Sequence, residues 1–567
     1  MSTELTSFAA AAQPTELLFI DSRVPDLQAI IAAARPGVKV VILDPDENGV
    51  AQMARALEGE QGLASISVVS HGDEGMLLLG NGPLFGGNLQ EYQAQLQAIG
   101  AALGPDGDLL LYGCDVGAGD AGAEFLQALA QITGADVAAS DDSTAGAVRG
   151  GDWDLEITTG QIEAAPVLDA QSLQGYDASL LTVSVSSVAQ LQAAITAGNT
   201  DGLNDLITLT GNISFATAAD TISINVTDSQ TMTIVGGGYT LSGGYLARVL
   251  NVGATPDTSA VVIQNLVITQ GLVAGTGGDG GQAAGAAMGG GIYNAGKLTL
   301  DSVTVTNNAA SGGGGGGGVA GAYAGGGGGG GGGIGGQDGG EGGTSGAGLY
   351  AGTAGSANTG GNGGGFDVDY MGGRGGSSVG GAGSIGTNSY SNGGAGGTAN
   401  NGSISIGGGG GGSGWDNVGG AGGSASGGIY NAGTGSITVI GTSVISSNLG
   451  AGGGGGGGGG GVSAGPGGTN DPGGAGGMGV GGIWNEGVLL ITADNFAAMT
   501  GNAGGSGSGG PSPGGGAGAS PSPIDGIHNL GVLNSSYVQD LTPPTASIVV
   551  ADSALDSGGT SLVTITF

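Results

Sequence analysis

Four stretches decide how most of this chain folds: Gly290-Gly291-Ile292-Tyr293-Asn294-Ala295-Gly296, Gly428-Ile429-Tyr430-Asn431-Ala432-Gly433, Gly482-Ile483-Trp484-Asn485-Glu486-Gly487 and Gly526-Ile527-His528-Asn529-Leu530-Gly531. Each reads Gly-Ile-aromatic-Asn-x-Gly, with His528 in the aromatic place of the fourth. Short Leu/Ile/Val/Thr runs follow, such as Leu298-Thr299-Leu300 and Val303-Thr304-Val305. Sequence repeated in this way marks one structural unit stacked on itself. Alternation within a strand sends the Ile inward and the aromatic outward. The Asn at a fixed position is suited to a side-chain hydrogen-bonded ladder, and the Gly after it to a turn. Spacing between copies is irregular because a Gly-rich insert enters each time before the next Gly-Ile. We expect a coil of about 20 residues with its insert at one fixed corner.

Outward from the repeats, the texture changes twice. Before residue 178 short apolar strands (Leu17–Ile20, Val38–Leu43, Ile66–Val69, Leu109–Leu111, then Val137–Ala139 and Trp153–Ile157) alternate with helical patterns at Pro25–Ala34, Val50–Leu57, Leu89–Leu103 and Ala121–Ile132. Buried strands alternating with helices predict a mostly parallel sheet covered on both faces. After a short amphipathic stretch, Val188–Thr196, closely spaced strands take over. The expected organisation is multidomain. A start at 1–14 carries no structure, and an α/β domain spans 15–178. An all-β parallel β-helix spans 181–540, with inserts near 272–288, 309–426, 449–480 and 503–523. Residues 541–567 open an immunoglobulin-like β domain. Chain closure cost alone permits long inserts. Ordering glycine is expensive, so the inserts are expected to be flexible or loosely packed rather than packed polyglycine helices of the polyproline II type.

Gly supplies 140 of 567 residues without a collagen period. Eight Lys+Arg against 45 Asp+Glu give a net charge of −37, which disfavours nucleic acid and anionic membrane surfaces. The one cysteine, Cys114, precludes an intrachain disulfide. Residues 1–4 lack the basic and apolar regions of a cleaved signal peptide, and no apolar run is long enough to span a bilayer. The expectation is an extracellular or cell-surface protein, monomeric in this region, whose export signal lies beyond residue 567. No nucleic acid and no transmembrane segment are expected. Its partner would be a surface glycan or protein. No cofactor and no metal ligand set is identified, and calcium is expected only in regions past the chain end.

One constellation suggests chemistry. His71-Gly72 follows the strand ending Val68-Val69-Ser70, and Cys114-Asp115 follows the strand ending Leu111-Tyr112-Gly113. Strand ends of a parallel sheet share one edge, where reactive groups collect. An imidazole beside a thiol makes a nucleophilic thiolate available, and the backbone N–H groups of Gly72 and Cys114 would form an oxyanion hole. The alternative is a small buried cysteine and a loop histidine.

This layout resembles the caspase, legumain and gingipain group of cysteine peptidases, although Asp-Val-Gly after Cys114 differs from the caspase signature. Leu-Phe-Ile-Asp near residue 20, Val-Val-Ser-His-Gly at 68–72, Leu-Tyr-Gly-Cys-Asp-Val at 111–116 and Gly-Gly-Asp-Trp-Asp-Leu at 150–155 resemble the domain of unknown function 4347. That family implies the N-terminus of a very long bacterial surface or calcium-binding protein. The repeats resemble Gly-rich right-handed parallel β-helices of bacterial surface proteins and of the pectin-lyase-like fold. The functions left open are a structural and adhesive surface protein, a peptidase domain that processes the protein itself, and carbohydrate cleavage on the coils. The coils show no clustered carboxylates that would carry the last.

Overall fold

The computed structural model describes residues 15–45, 47–149, 151–176, 182–199, 205–227, 229–254, 259–317, 328–334, 341–342, 351, 353–354, 361–362, 393–412, 418–458, 472–510 and 519–538, with the backbone of strands 547–550 and 563–566. The segment 1–14 and most of 541–567 lie outside these residues. The chain is mixed α/β, with many parallel sheets and few helices.

The first domain is built on strands β1 (Glu16–Asp21), β2 (Lys39–Leu43), β3 (Leu63–Val69), β4 (Leu103–Tyr112), β5 (Asp136–Ala139) and β6 (Ile157–Thr158). Their order across the sheet is β2-β1-β3-β4-β5-β6, parallel except for β6. Continuous apolar strands bury both faces. Helices α2 (Gly49–Ala56), α3 (Gln93–Ala102) and α4 (Gly119–Thr133) bring Met53, Leu96, Ile99, Phe125 and Leu129 against one face. On the other, α1 (Leu27–Ala33) covers only part, and the stretch from Trp153 to Tyr176 completes the layer. Trp153 is therefore a loop residue packed edge-on to Tyr176 at 5.6 Å, not the start of a strand. A hairpin absent from the sequence reading, Met76–Leu79 with Gly82–Phe85, follows the His71 loop.

From Val183 onward parallel strands pile up in separate stacks of eight, five and six strands, joined later by stacks of four and three. The chain visits the stacks in rotation. One coil advances from Ile222 to its register partner Leu250, a step of 28 residues rather than about 20, because three strands and their corners are needed per turn. Helix α5 (Val188–Gly198), capped by Ser187, sends Leu191 and Ile195 into the core of the stack. In register, Leu250, Ile292, Ile429, Ile483 and Ile527 form one column. The Asn beside them form the expected ladder: Asn294 Nδ2 donates to Asn431 at 2.8 Å, Asn431 to Asn485 at 2.7 Å and Asn485 to Asn529 at 2.6 Å. A second ladder runs Asn308 to Asn448 to Asn502, 3.0 Å at each step. In one coil a short helix, α6 (Ala493–Ala497), follows the first strand, and Asn495 Nδ2 donates to the carbonyls of Ile440 and Ser443.

The described parts of the inserts overturn the expectation of loose coil. They leave after Ala309–Ser311, Leu449–Ala451 and Ala503–Gly505, strands of one stack, and their described glycines are ordered. Gly312 to Gly316 donate in turn to the carbonyls of Ala451, Gly285, Gly329, Gly454 and Gln282. Donors three apart reach one neighbour: Gly312 and Gly315 take residues 451 and 454, and Gly313 and Gly316 take 285 and 282. Gly453 to Gly457 repeat this, with partners Gly423, Gly409, Ser508, Gly420 and Gly412. A period of three is that of the polyproline II type of helix, here hydrogen-bonded on three sides. A Cβ on any of Gly312 to Gly316 would lie 1.7–2.1 Å from a neighbouring carbonyl oxygen. The position it would fill belongs to a Cα hydrogen, so those carbonyls face Cα–H groups. Many backbone hydrogen bonds and close dispersion contacts offset the entropy that argued for disorder.

Candidate functional site

The C-terminal edge of the first sheet is where ligands collect in such folds, and the structure carries both singled-out residues there. β3 and β4 are neighbours in parallel register, with Val69 opposite Tyr112, and His71 and Cys114 each lie two residues further on. The two loops are in backbone contact. A Cβ on Gly72 would be 2.7 Å from the Cys114 carbonyl oxygen, so only glycine fits there. His71 is 6% exposed, and its Nε2 lies 3.3 Å from the Arg23 carbonyl. A carbonyl takes only a donor, which assigns the proton of a neutral ring to Nε2 and its basic character to Nδ1.

Cys114 is 0% exposed and shares an apolar cluster with Val69, Tyr112, Trp153 and Tyr176. Its thiol donates to the Thr144 carbonyl at 3.7 Å and lies 3.9 Å from Ser143 Oγ. Burial in the same cluster pushes the Tyr112 hydroxyl up to about 12. The Gly72 carbonyl accepts from Thr182 N, so this strip is tied to the segment that enters the stack.

The rim is strongly acidic. Burial raises the Asp115 carboxyl above its ordinary range, and Asp73, Asp142, Asp141 and Glu74 raise it further. Asp142 is raised by burial and then by Asp152 and Asp141. Glu156 is raised chiefly by burial. Asp142, Asp152 and Glu156 offer oxygens within 4.8 Å of one another. At the same edge, Arg23 grips Asp21 through Nε and Nη2 at 2.9 and 2.8 Å, and Asp21 also accepts Gly80 N at 2.7 Å. The sequence reading passed over this pair, though its signal was present in an Asp directly after the first buried strand.

The hairpin after His71 joins the domain to the stack. Met76 and Leu78 pack with Val235, Ser184 N donates to Asp73 at 2.8 Å, and Asn265 Nδ2 donates to the Asn81 carbonyl at 2.7 Å.

Residues 17–180 match the family described as Domain of unknown function (DUF4347). The match begins within β1, and the DUF4347-like domain holds both His71 and Cys114. No curated protein and no solved structure matches the chain. No helix among the described residues is long and apolar enough to cross a membrane.

Proposed function

We propose that this chain is the N-terminal region of a large secreted bacterial surface protein with a structural, presenting and adhesive role. Its stacked part is read as a right-handed parallel β-helix serving as a stalk, and the DUF4347-like domain is what the stalk carries. The observation that carries this reading is the set of unbroken columns: one of Leu/Ile, two of Asn and a flank of packed glycine chains. Such columns propagate without ligand or cofactor and stiffen a repeat along its axis. Negative charge keeps the stalk soluble. The test is imaging of the purified chain by negative-stain electron microscopy, with binding to host or bacterial cells and to a glycan panel. Rigid rods of uniform length and saturable binding support the proposal. Collapsed particles, or rods that bind neither cells nor glycans, overturn it.

The second reading, a caspase-like cysteine peptidase domain that processes the surface protein, is favoured by one observation: His71 and Cys114 each follow, by two residues, the ends of adjacent parallel strands. The full burial of Cys114 in an apolar cluster weighs against it, because such cysteines are inert until exposed. Incubation of the purified chain separates the two. Fragments that appear in wild type and vanish in Cys114→Ala support processing. Identical patterns leave the stalk reading alone.

A further inference from the structure

At the opposite edge of the first sheet, away from His71 and Cys114, three carboxylates converge. Asp108 on β4 and Asp136 on β5 are register partners, so in parallel strands their side chains leave the same face side by side. Glu163 joins them from the segment after β6, and one oxygen from each lies within 4.8 Å of the others. Like charges at adjacent strand positions repel, and Arg23, Arg35, Lys39 and Arg55 pair with Asp21, Glu16, Glu60 and Glu47 instead. Arg35, bonded nearby to the Ala165 carbonyl, is committed to Glu16 at 2.7 Å.

Asp108 adds an observation independent of the clustering. It is 1% exposed. Its Oδ2 accepts Glu163 N at 2.9 Å and Ala164 N at 2.8 Å, which clamps the Glu163 segment onto the sheet. Its buried Oδ1 has no protein donor. A carboxylate oxygen taken out of water without a donor is costly unless a cation compensates it. Gly160 passes so close over Asp136 that a Cβ would lie 2.0 Å from Oδ1, so only glycine fits beside that carboxylate.

We infer that Asp108, Asp136 and Glu163 form a calcium site that pins the last segment of the DUF4347-like domain to its sheet. Hard oxygen ligands from a buried, an intermediate and an exposed carboxylate suit calcium, which tolerates irregular shells and completes them with water. Magnesium demands near-ideal octahedral geometry. Affinity in the range of extracellular modules, about 10⁻⁴–10⁻³ M, is expected.

The experiment is isothermal titration of calcium chloride into the full chain, for wild type, Asp136→Asn, Glu163→Gln and Asp152→Asn. The last alters the exposed acidic trio at the other edge and controls for general binding by a −37 chain. Wild type and Asp152→Asn should show the same saturable step. Asp136→Asn and Glu163→Gln should weaken it about tenfold or more, since affinity follows the number of charged ligands. Melting in excess chelator guards against misfolding as the cause: Asp136→Asn, relieved of repulsion, should melt no lower than wild type. An unchanged isotherm in Asp136→Asn, equal loss in Asp152→Asn, or a chelator-independent drop in melting temperature for Asp136→Asn overturns the site.

Discussion

Asn431 donates through Nδ2 to Asn485 and to the carbonyls of Gly435 and Val488, and accepts from Asn294, with no exposure to solvent. Asn431→Ala leaves those groups unpaired, so a loss of about 1–3 kcal/mol is expected in urea denaturation. Ile483→Asp places an unpaired charge in the Ile column and is expected to abolish cooperative unfolding by circular dichroism. The outward aromatics are less severe. Tyr430 stacks on Tyr293 at 5.2 Å and donates to Glu486 at 2.9 Å, so Tyr430→Ser should cost about 1–2 kcal/mol. Trp484, in the same outward position, is only 7% exposed, because Glu486 and His528 lie against it. The inward and outward alternation was legible from the six-residue motif. The cover over its outer face was legible only in part, since Glu486 stands in the same copy of the motif but His528 comes from the next coil.

The glycine inserts call for a paired test. A Cβ on Gly453 would meet the Gly313 carbonyl oxygen at 1.9 Å, whereas one on Gly433 meets nothing within 4 Å. Gly453→Ala is expected to lower stability by about 1–3 kcal/mol, the cost of overpacking, while Gly433→Ala stays near wild type in the same thermal melt. Deleting residues 318–392, which removes only part of the longest insert, probes the lattice as a unit. Its remaining strands keep partners across the coil flank, such as Gly315 with Gly454 and Gly409 with Gly312. Deleting all of 311–426 removes the neighbours of Gly453, Gly454 and Gly456. The larger deletion is therefore expected to lower the melting temperature well below the smaller one. Equal melting of both would mean that the glycine flank contributes nothing to the coils.

Across the first domain the carboxylates set a pH response. Asp115, Asp142 and Glu156 are all raised in the folded state. A raised carboxyl holds a proton that the unfolded chain releases, so its contribution is present below the ordinary carboxylate value and lost as pH climbs through the raised one. The melting temperature should thus rise as pH falls from neutral toward about 4. Asp169 and, in the stacked part, Asp220 are held low by hydrogen bonds from Ser172 and Gln171 and from Thr217 and Ala216, and their contributions vanish as pH falls further. A melting-temperature profile with a maximum on the acid side checks this, and Asp142→Asn should flatten its neutral limb. At the His71 edge, iodoacetamide labelling of Cys114 in native protein should be slow, and faster after unfolding, as befits its burial. Rapid native labelling that slows in His71→Ala would instead favour the peptidase reading.

Periodicity carried the fold because it is a local property. Strand alternation, the Ile and Asn of the six-residue motif and the alternating strands and helices of the first domain are written in neighbouring residues, and equal places in a repeat become equal places in a coil. The shared edge of His71 and Cys114 was legible for the same reason, since strand order fixes it. Three features were decided only by tertiary structure. The coil needs 28 residues because a third strand must close it. The glycine chains are ordered because partners from distant inserts supply hydrogen bonds on several sides, and a glycine run carries no side-chain pattern that reveals such partners. Asp108, Asp136 and Glu163 are scattered in sequence and meet only when two strands pair in register and a third segment folds back over them.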